Sequence, residues 1–299
     1  MLKRIILWFG MNIAVIIVLT VVFSILEHYF GLKLDLYGTN YISILIYAAI
    51  IGFTGSFISL AISKWMAKKA YNITIITQDD YLNLDSKQKL VWDTVKNLSE
   101  RNHINMPEVG IYSSNDPNAF ATGMTKNSSL VAVSTGLLSA MDNGAIEGVV
   151  GHEMAHILNG DMVTMTLLQG VLNTFVVFFA RIVANLISNS VDEKLSPLVY
   201  MLVNILLQIL FGILASLVAM KFSRYREFRA DEGSARFLGK EKMIAGLEAL
   251  KKMQSIASSD DSKLATMKIS TKGKSGFMAM FSSHPDLDDR INALKAMNI

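Results

Sequence analysis

The sequence predicts a multi-pass α-helical membrane protein that carries an α+β domain. Three observations predict it: four long apolar stretches, two polar segments that mix strand and helix patterns, and two histidines one helical turn apart inside an apolar helix. Only 18% of the 299 residues are charged and 52% are hydrophobic, whereas an ordinary soluble domain carries about 25% charge. The mean hydropathy of +0.38 fits a chain solvated in part by lipid.

A bilayer-spanning helix needs about 20 apolar residues. Residues 5–26 and 41–62 meet that length without a charge. Residues 162–180 nearly meet it before Arg181 interrupts and IVANLI continues. Residues 198–220 meet it with Asn204 and Gln208 inside. Lys3 and Arg4 precede the first stretch, as in a signal peptide. That stretch is longer than the usual apolar core of about 7–15 residues, and no small-x-small cleavage site follows it, so it reads as an uncleaved anchor. Arg181 reads as a residue snorkelling to an interface. The third and fourth stretches could form an apolar hairpin buried on the polar domain, but their lengths favour spanning.

Orientation follows from the Lys/Arg bias of short flanks. Lys3, Arg4, Lys64, Lys68, Lys69, Lys221, Arg224, Arg226 and Arg229 fall on one side of four spans. The opposite loops balance Lys33 against Glu27 and Asp35, and Lys194 against Asp192 and Glu193. Both polar segments are therefore expected in the cytoplasm. The expected divisions are residues 1–63 with two membrane helices, 64–161 as the first part of the polar domain, 162–220 with two more membrane helices, and 221–299 as its second part.

In the first polar segment, residues 84–104 read as an amphipathic helix with Leu90, Val91, Val95 and Leu98 on one face. EVGIY at 108–112 and SLVAVS at 129–134 read as short strands, with an edge strand at 119–122. Residues 143–158 read as a helix stopped by Asn159-Gly160. In the second segment, residues 223–238 and 241–253 read as helices broken by Gly239. Residues 255–275 read as a mobile loop, and 286–297 as a final helix.

The formal charge of +3, without a dense basic block, gives no support for nucleic-acid binding. The chain has no cysteine, which excludes disulfides and thiolate metal sites. Any metal must use His, Asp or Glu. HEMAH at 152–156 supplies the pattern. Residues i and i+4 share a helix face, so His152 and His156 can aim two imidazoles at one ion. Glu153 then lies within reach of a water beside that ion, as in zinc protease helices. Two unrelated surface histidines are the plain alternative. The flanking sequence EGVVGHEMAHILNGD is apolar on both sides, and buried polar groups need partners or an ion.

Catalytic zinc takes three protein ligands and leaves one position open. Glu227 is the favoured third ligand, with Asp231 one turn later placed to accept the free N–H of a ligand imidazole. Glu232 and His284 are rivals for that ligand position. A solvated charge ladder is the alternative for the segment around Glu227.

HEMAHILNGDMVTMTLLQG, followed by REFRADEGSA, resembles the HtpX family of bacterial membrane zinc metalloproteases, which are similar in turn to the CAAX prenyl proteases of eukaryotic membranes. GFTGSFISLAISKWMAKKA, PNAFATG, SLVAVSTGLL and SSHPDLDDRI extend the resemblance over nearly the whole chain. It implies a zincin-like (HExxH) metalloprotease domain of α+β type, one Zn2+ at His152, His156 and Glu227, and Glu153 as the catalytic base. It also implies a bacterial cytoplasmic-membrane location and polypeptide substrates, among them misfolded or damaged membrane proteins.

Further site expectations follow. His284, in a His-Pro pair like the family's, is a candidate oxyanion donor, or else a loop residue capping the last helix. Arg290 orients that region, or is an ordinary surface charge. Asn118, Ala119 and Phe120 lie on an edge that could pair with an extended substrate, unless Phe120 is simply core. Asp161 reads as a cap or turn residue. Two rival functions remain, a scaffold with a structural zinc and a transporter. A structural site needs four ligands and gives Glu153 no purpose, and the spans hold few ionisable residues for a pathway.

Overall fold

A computed structural model of the chain describes residues 40–260 and 285–298, together with scattered helical positions between 17 and 28. Most of the expected first span therefore lies outside the described residues, as do His284 and residues 261–275 of the expected loop. The chain divides into two compact units, residues 1–61 with 164–219 and residues 62–163 with 220–299.

The first unit is helical. Helix α1 (Tyr41–Tyr71) opens where Asn40 Oδ1 accepts from the Ile42 N–H at 3.0 Å. Helix α5 (Asp161–Ser188) packs against it through small residues. A Cβ on Gly52 would stand 2.6 Å from the Thr174 nitrogen, so the two backbones nearly touch there. Arg181 leaves α5 unbroken, and its guanidinium lies 4.0 Å from the centroid of the Tyr47 ring. That cation–π contact with the neighbouring helix helps to accommodate the charge.

Helix α6 (Ser196–Leu238) runs unbroken for 43 residues, about 65 Å at 1.5 Å per residue. The fourth apolar stretch and the polar helix after it are thus one rod. Leu202, Leu206 and Ile209 are more than half exposed along one side of it. Helices α1, α5 and α6 are the three described helices long and apolar enough to cross a membrane.

The second unit contains a four-stranded mixed sheet. Strands β1 (Thr74–Ile76), β2 (Glu108–Tyr112), β3 (Ala119–Thr125) and β4 (Ser128–Ser134) lie in the order β1-β2-β4-β3. Strand β2 runs parallel to β4, and β1 and β3 are antiparallel to their neighbours. A tight hairpin folds β3 back along β4 and leaves it at the sheet edge.

One sheet face meets helix α2 (Ser86–Arg101) and helix α4 (Asn143–Asn159) over Val91, Val95, Val109, Val131, Ile146 and Met154, all buried. The other face buries Tyr112, Leu130 and Ala132 under Ile73, Ile75 and Phe120. Because both faces are covered, β4 is apolar along its centre rather than alternating. Short helix α3 (Thr135–Ala140), capped by Ser134, leads into α4.

Asp142 caps α4, accepting from the Ala145 N–H at 2.8 Å, and Gly160 ends it with φ at 70°. That left-handed residue turns the chain straight into α5. Helix α7 (Lys240–Asp260) follows the break at Gly239, so residues 255–260, expected in a loop, are helical. Helix α8 (Leu287–Lys295) packs Ile291 and Leu294 against Ala235, Met243 and Leu247.

Candidate active site

Helix α4 carries His152 and His156 on one face, with ring centroids 4.6 Å apart and nearly perpendicular planes. Their Nε2 atoms are 3.1 Å apart. Glu227 of α6 completes the group. Its Oε2 lies 3.6 Å from His152 Nε2 and its Oε1 lies 3.5 Å from His156 Nε2.

The sequence brings α6 and the helix that follows it this close by omitting side chains from α4. A Cβ on Gly148 would stand 2.2 Å from the Lys242 carbonyl oxygen, and one on Gly151 would stand 2.6 Å from Ser234 Oγ. Ser234 Oγ instead donates to the Gly148 carbonyl at 2.7 Å. Glu227 and Asp231 share a face of α6 with Ser234, so the contact at Ser234 directs both carboxylates at the histidines.

Each imidazole is held from behind. His152 Nδ1 lies 2.8 Å from Asp231 Oδ1, and His156 Nδ1 lies 2.6 Å from Asp161 Oδ2. For neutral rings this network favours the Nδ1–H tautomer, which turns both Nε2 atoms toward Glu227. Arg290 of α8 grips Asp231 with two bonds, Nε at 2.7 Å and Nη2 at 2.6 Å. Its Nη1 is 3.4 Å from Glu227 Oε2.

Burial opposes protonation of both rings, yet hydrogen bonds donated to carboxylates overcome it. His152 is raised by Asp231 and Glu227. His156 is pushed up to about 9 by Asp161 and Glu227. Burial also opposes ionisation of Asp231, but Arg290 and His152 hold its carboxyl below the usual range. A buried pair of imidazoles that would otherwise attract protons is a pair of strong donors to a cation.

The fit to a metal can be tested on distances. A tetrahedral ion held at about 2.0–2.1 Å separates its donor atoms by roughly 3.3–3.4 Å. Here the two nitrogens are 3.1 Å apart, and each lies 3.5–3.6 Å from a different oxygen of Glu227. The set of two imidazole nitrogens and one carboxylate oxygen could hold a metal ion.

Other sequence expectations distribute unevenly. Asp231 and Arg290 converge on the site. Glu232 points away and pairs with Arg236 on the surface, at 2.7 Å. Glu153 is half-buried beside His152, and its charge reaches His156 and Arg290. Ala119 and Phe120 lie on the edge strand β3, with Asn118 just before it. The Phe120 ring stacks against Tyr71 and Tyr112, at 5.4 and 5.8 Å between centroids. The side chain is half-buried against the small cluster of Tyr112, Leu130 and Ala132.

Asp161, read from the sequence as a cap or turn, instead touches His156. The signal available was its place one turn and one residue beyond the second histidine, just past the helix stop.

A family model described as peptidase family M48 matches residues 85–298. The chain belongs to peptidase family M48. A protein named protease HtpX from Thioalkalivibrio sulfidiphilus is 47% identical over 99% of both chains. A protease HtpX homolog from Bacillus licheniformis is 48% identical over 98% of this chain and 99% of its own length. Another, from Bacillus subtilis, is 47% identical over 99% of this chain and all of its own length. The resemblance to the HtpX family read from the motifs is thereby met.

Membership in M48 makes the chain a metalloprotease that hydrolyses peptide bonds, and its three apolar helices make it a membrane protease. The crystal structure of S. mikatae Ste24p shares the fold, with a TM-score of 0.63 at 16% identity over 98% of this chain. This chain spans 65% of that protein's chain.

Proposed function

We propose that the chain is a zinc-dependent endopeptidase of the bacterial cytoplasmic membrane, that its catalytic unit faces the cytoplasm, and that it cuts misfolded or damaged membrane proteins. The observation that carries the reading is the convergence of His152, His156 and Glu227 beside Glu153. These three residues would hold one Zn2+, whose contribution when bound is Lewis acidity toward the scissile carbonyl and toward water.

The chain's own residues do the rest. Glu153 takes the proton of the attacking water and passes it to the leaving amine. Asp231 and Asp161 hold the imidazoles in register, and Arg290 fixes Asp231 and offsets the charge gathered around Glu227. The free edge of β3, entered at Asn118 and continuing through Ala119 and Phe120, would pair with the backbone of an extended substrate. Stacking of Phe120 on Tyr71 and Tyr112 would stiffen that edge rather than contact substrate. His284 is the sequence's candidate for a second donor to the oxyanion.

Glu153→Gln in the full chain tests the reading. It should retain zinc at the wild-type ratio and lose cleavage of an unfolded protein such as casein by about 10²–10⁴-fold, the usual contribution of a general base. Wild-type cleavage by that variant would remove Glu153 from the mechanism. A chelator should stop cleavage and zinc should restore it.

A further inference from the structure

We infer that Asp161 is a positioning residue for the metal site, fixing His156 as Asp231 fixes His152. The inference rests on the reading of His152, His156 and Glu227 as metal ligands. Asp161 is 5% exposed and its Oδ2 lies 2.6 Å from His156 Nδ1. The ring is thus clamped between a carboxylate behind and the Glu227 carboxylate in front, 3.5 Å from Nε2. A carboxylate that accepts Nδ1–H fixes the tautomer and the tilt of the ring and makes Nε2 more basic.

The plain alternative is that Asp161 serves only as the first residue of α5, where a negative charge suits the helix N-terminus. Two features go beyond that role. The carboxylate is aimed at a ring nitrogen of a candidate ligand. Its backbone is also held in place from the same helix that supplies Glu227: Arg226 Nη1 donates to the Asp161 carbonyl at 3.0 Å. Neighbouring residues of α6 thus hold opposite sides of His156, Glu227 at its Nε2 and Arg226 through Asp161.

The two orienting carboxylates are not equivalent. Asp231 shares its charge with Arg290 in a two-point ion pair. The ion pair at the Asp161 carboxylate is the one with His156. His156 is therefore bound to the less compensated acceptor, and loss of that charge should be felt directly at Nε2.

The test is zinc affinity of the purified full chain in detergent, measured by competition with a chromophoric chelator. Asp161→Asn and Asp161→Ser both keep a residue suited to a helix start. Each should weaken zinc binding about 10–100-fold, with the far-ultraviolet circular dichroism of the metal-free protein unchanged. Affinity within threefold of wild type in both variants would overturn the assignment. A wild-type chain that binds no zinc would overturn the metal reading along with it.

Should neither variant fold, the wild-type zinc-loaded protein decides. Its nitrogen-15 spectrum should show two slowly exchanging Nδ1–H protons, one from each of His152 and His156. A His156 resonance lacking that proton would overturn the assignment.

Discussion

His156 meets carboxylates at both ring nitrogens, and this has a measurable consequence for metal uptake. In the metal-free protein its pKa is pushed up from 6.5 to about 9, against the opposing effect of burial. Its proton therefore stabilises the metal-free fold fully below pH 6.5, and that contribution is lost as pH rises through about 9. A metal ion requires the neutral ring, so uptake near pH 7 must expel the proton. Zinc titrations by calorimetry at pH 7, in buffers of different ionisation enthalpy, should show proton release. Apparent affinity should rise with pH and level off above about 9. Uptake at pH 7 without proton release would contradict this protonation of the site.

At the scale of elements, the site exists because α4 has no side chains where α6 and α7 press against it. Gly148→Ala places a Cβ 2.2 Å from the Lys242 carbonyl, a backbone atom that can yield only if α7 moves. Overpacking of this kind costs about 1–3 kcal/mol. The displacement should also draw Glu227 away from the histidines and weaken zinc binding. Gly144→Ala on the same helix is the control, since its nearest neighbour is an Asp142 side-chain oxygen at 3.6 Å. It should be neutral or stabilising by about 0.5–1 kcal/mol, the usual gain from removing a helical glycine. Thermal unfolding of the two variants checks the contrast, and equal effects would remove the close approach as its cause.

These elements also show what the sequence could and could not carry. HEMAH declares itself because helical spacing alone brings the two imidazoles together. Glu227 was favoured over Glu232 only by Asp231 one turn later, since both sit in one charged run, and the contact of Ser234 with Gly148 shows which faces inward. Asp161 was hidden for a related reason. Its neighbours Asn159 and Gly160 announce a helix stop, and nothing local says that the next residue turns back onto the second histidine. The continuity of α6 was masked by composition, because apolar residues give way to charged ones near Lys221 while the helix geometry continues unchanged.

At the scale of the whole molecule, the catalytic unit is assembled from two chain segments separated by residues 164–219, which belong to the apolar unit. Two of the elements at the site continue into that unit. Asp161 begins α5, and Glu227 lies in the same 43-residue helix as the fourth apolar stretch. If α5 and α6 both cross a bilayer, as proposed, the exposed loop at 189–195 that joins them would lie across it from the chain segments that flank the pair. The proposed orientation, read from the charge bias of the flanks, would put that loop outside the cytoplasm. The absence of cysteine makes this directly testable in cells without background labelling. Glu193→Cys lies in the exposed loop and Asp116→Cys on the exposed surface of the catalytic unit. A membrane-impermeant maleimide added to intact bacterial cells whose outer barrier is permeable to it should label the first and not the second, and lysis should make both reactive. Labelling of position 116 alone in intact cells would reverse the orientation, and labelling of both would mean that the pair α5–α6 does not span.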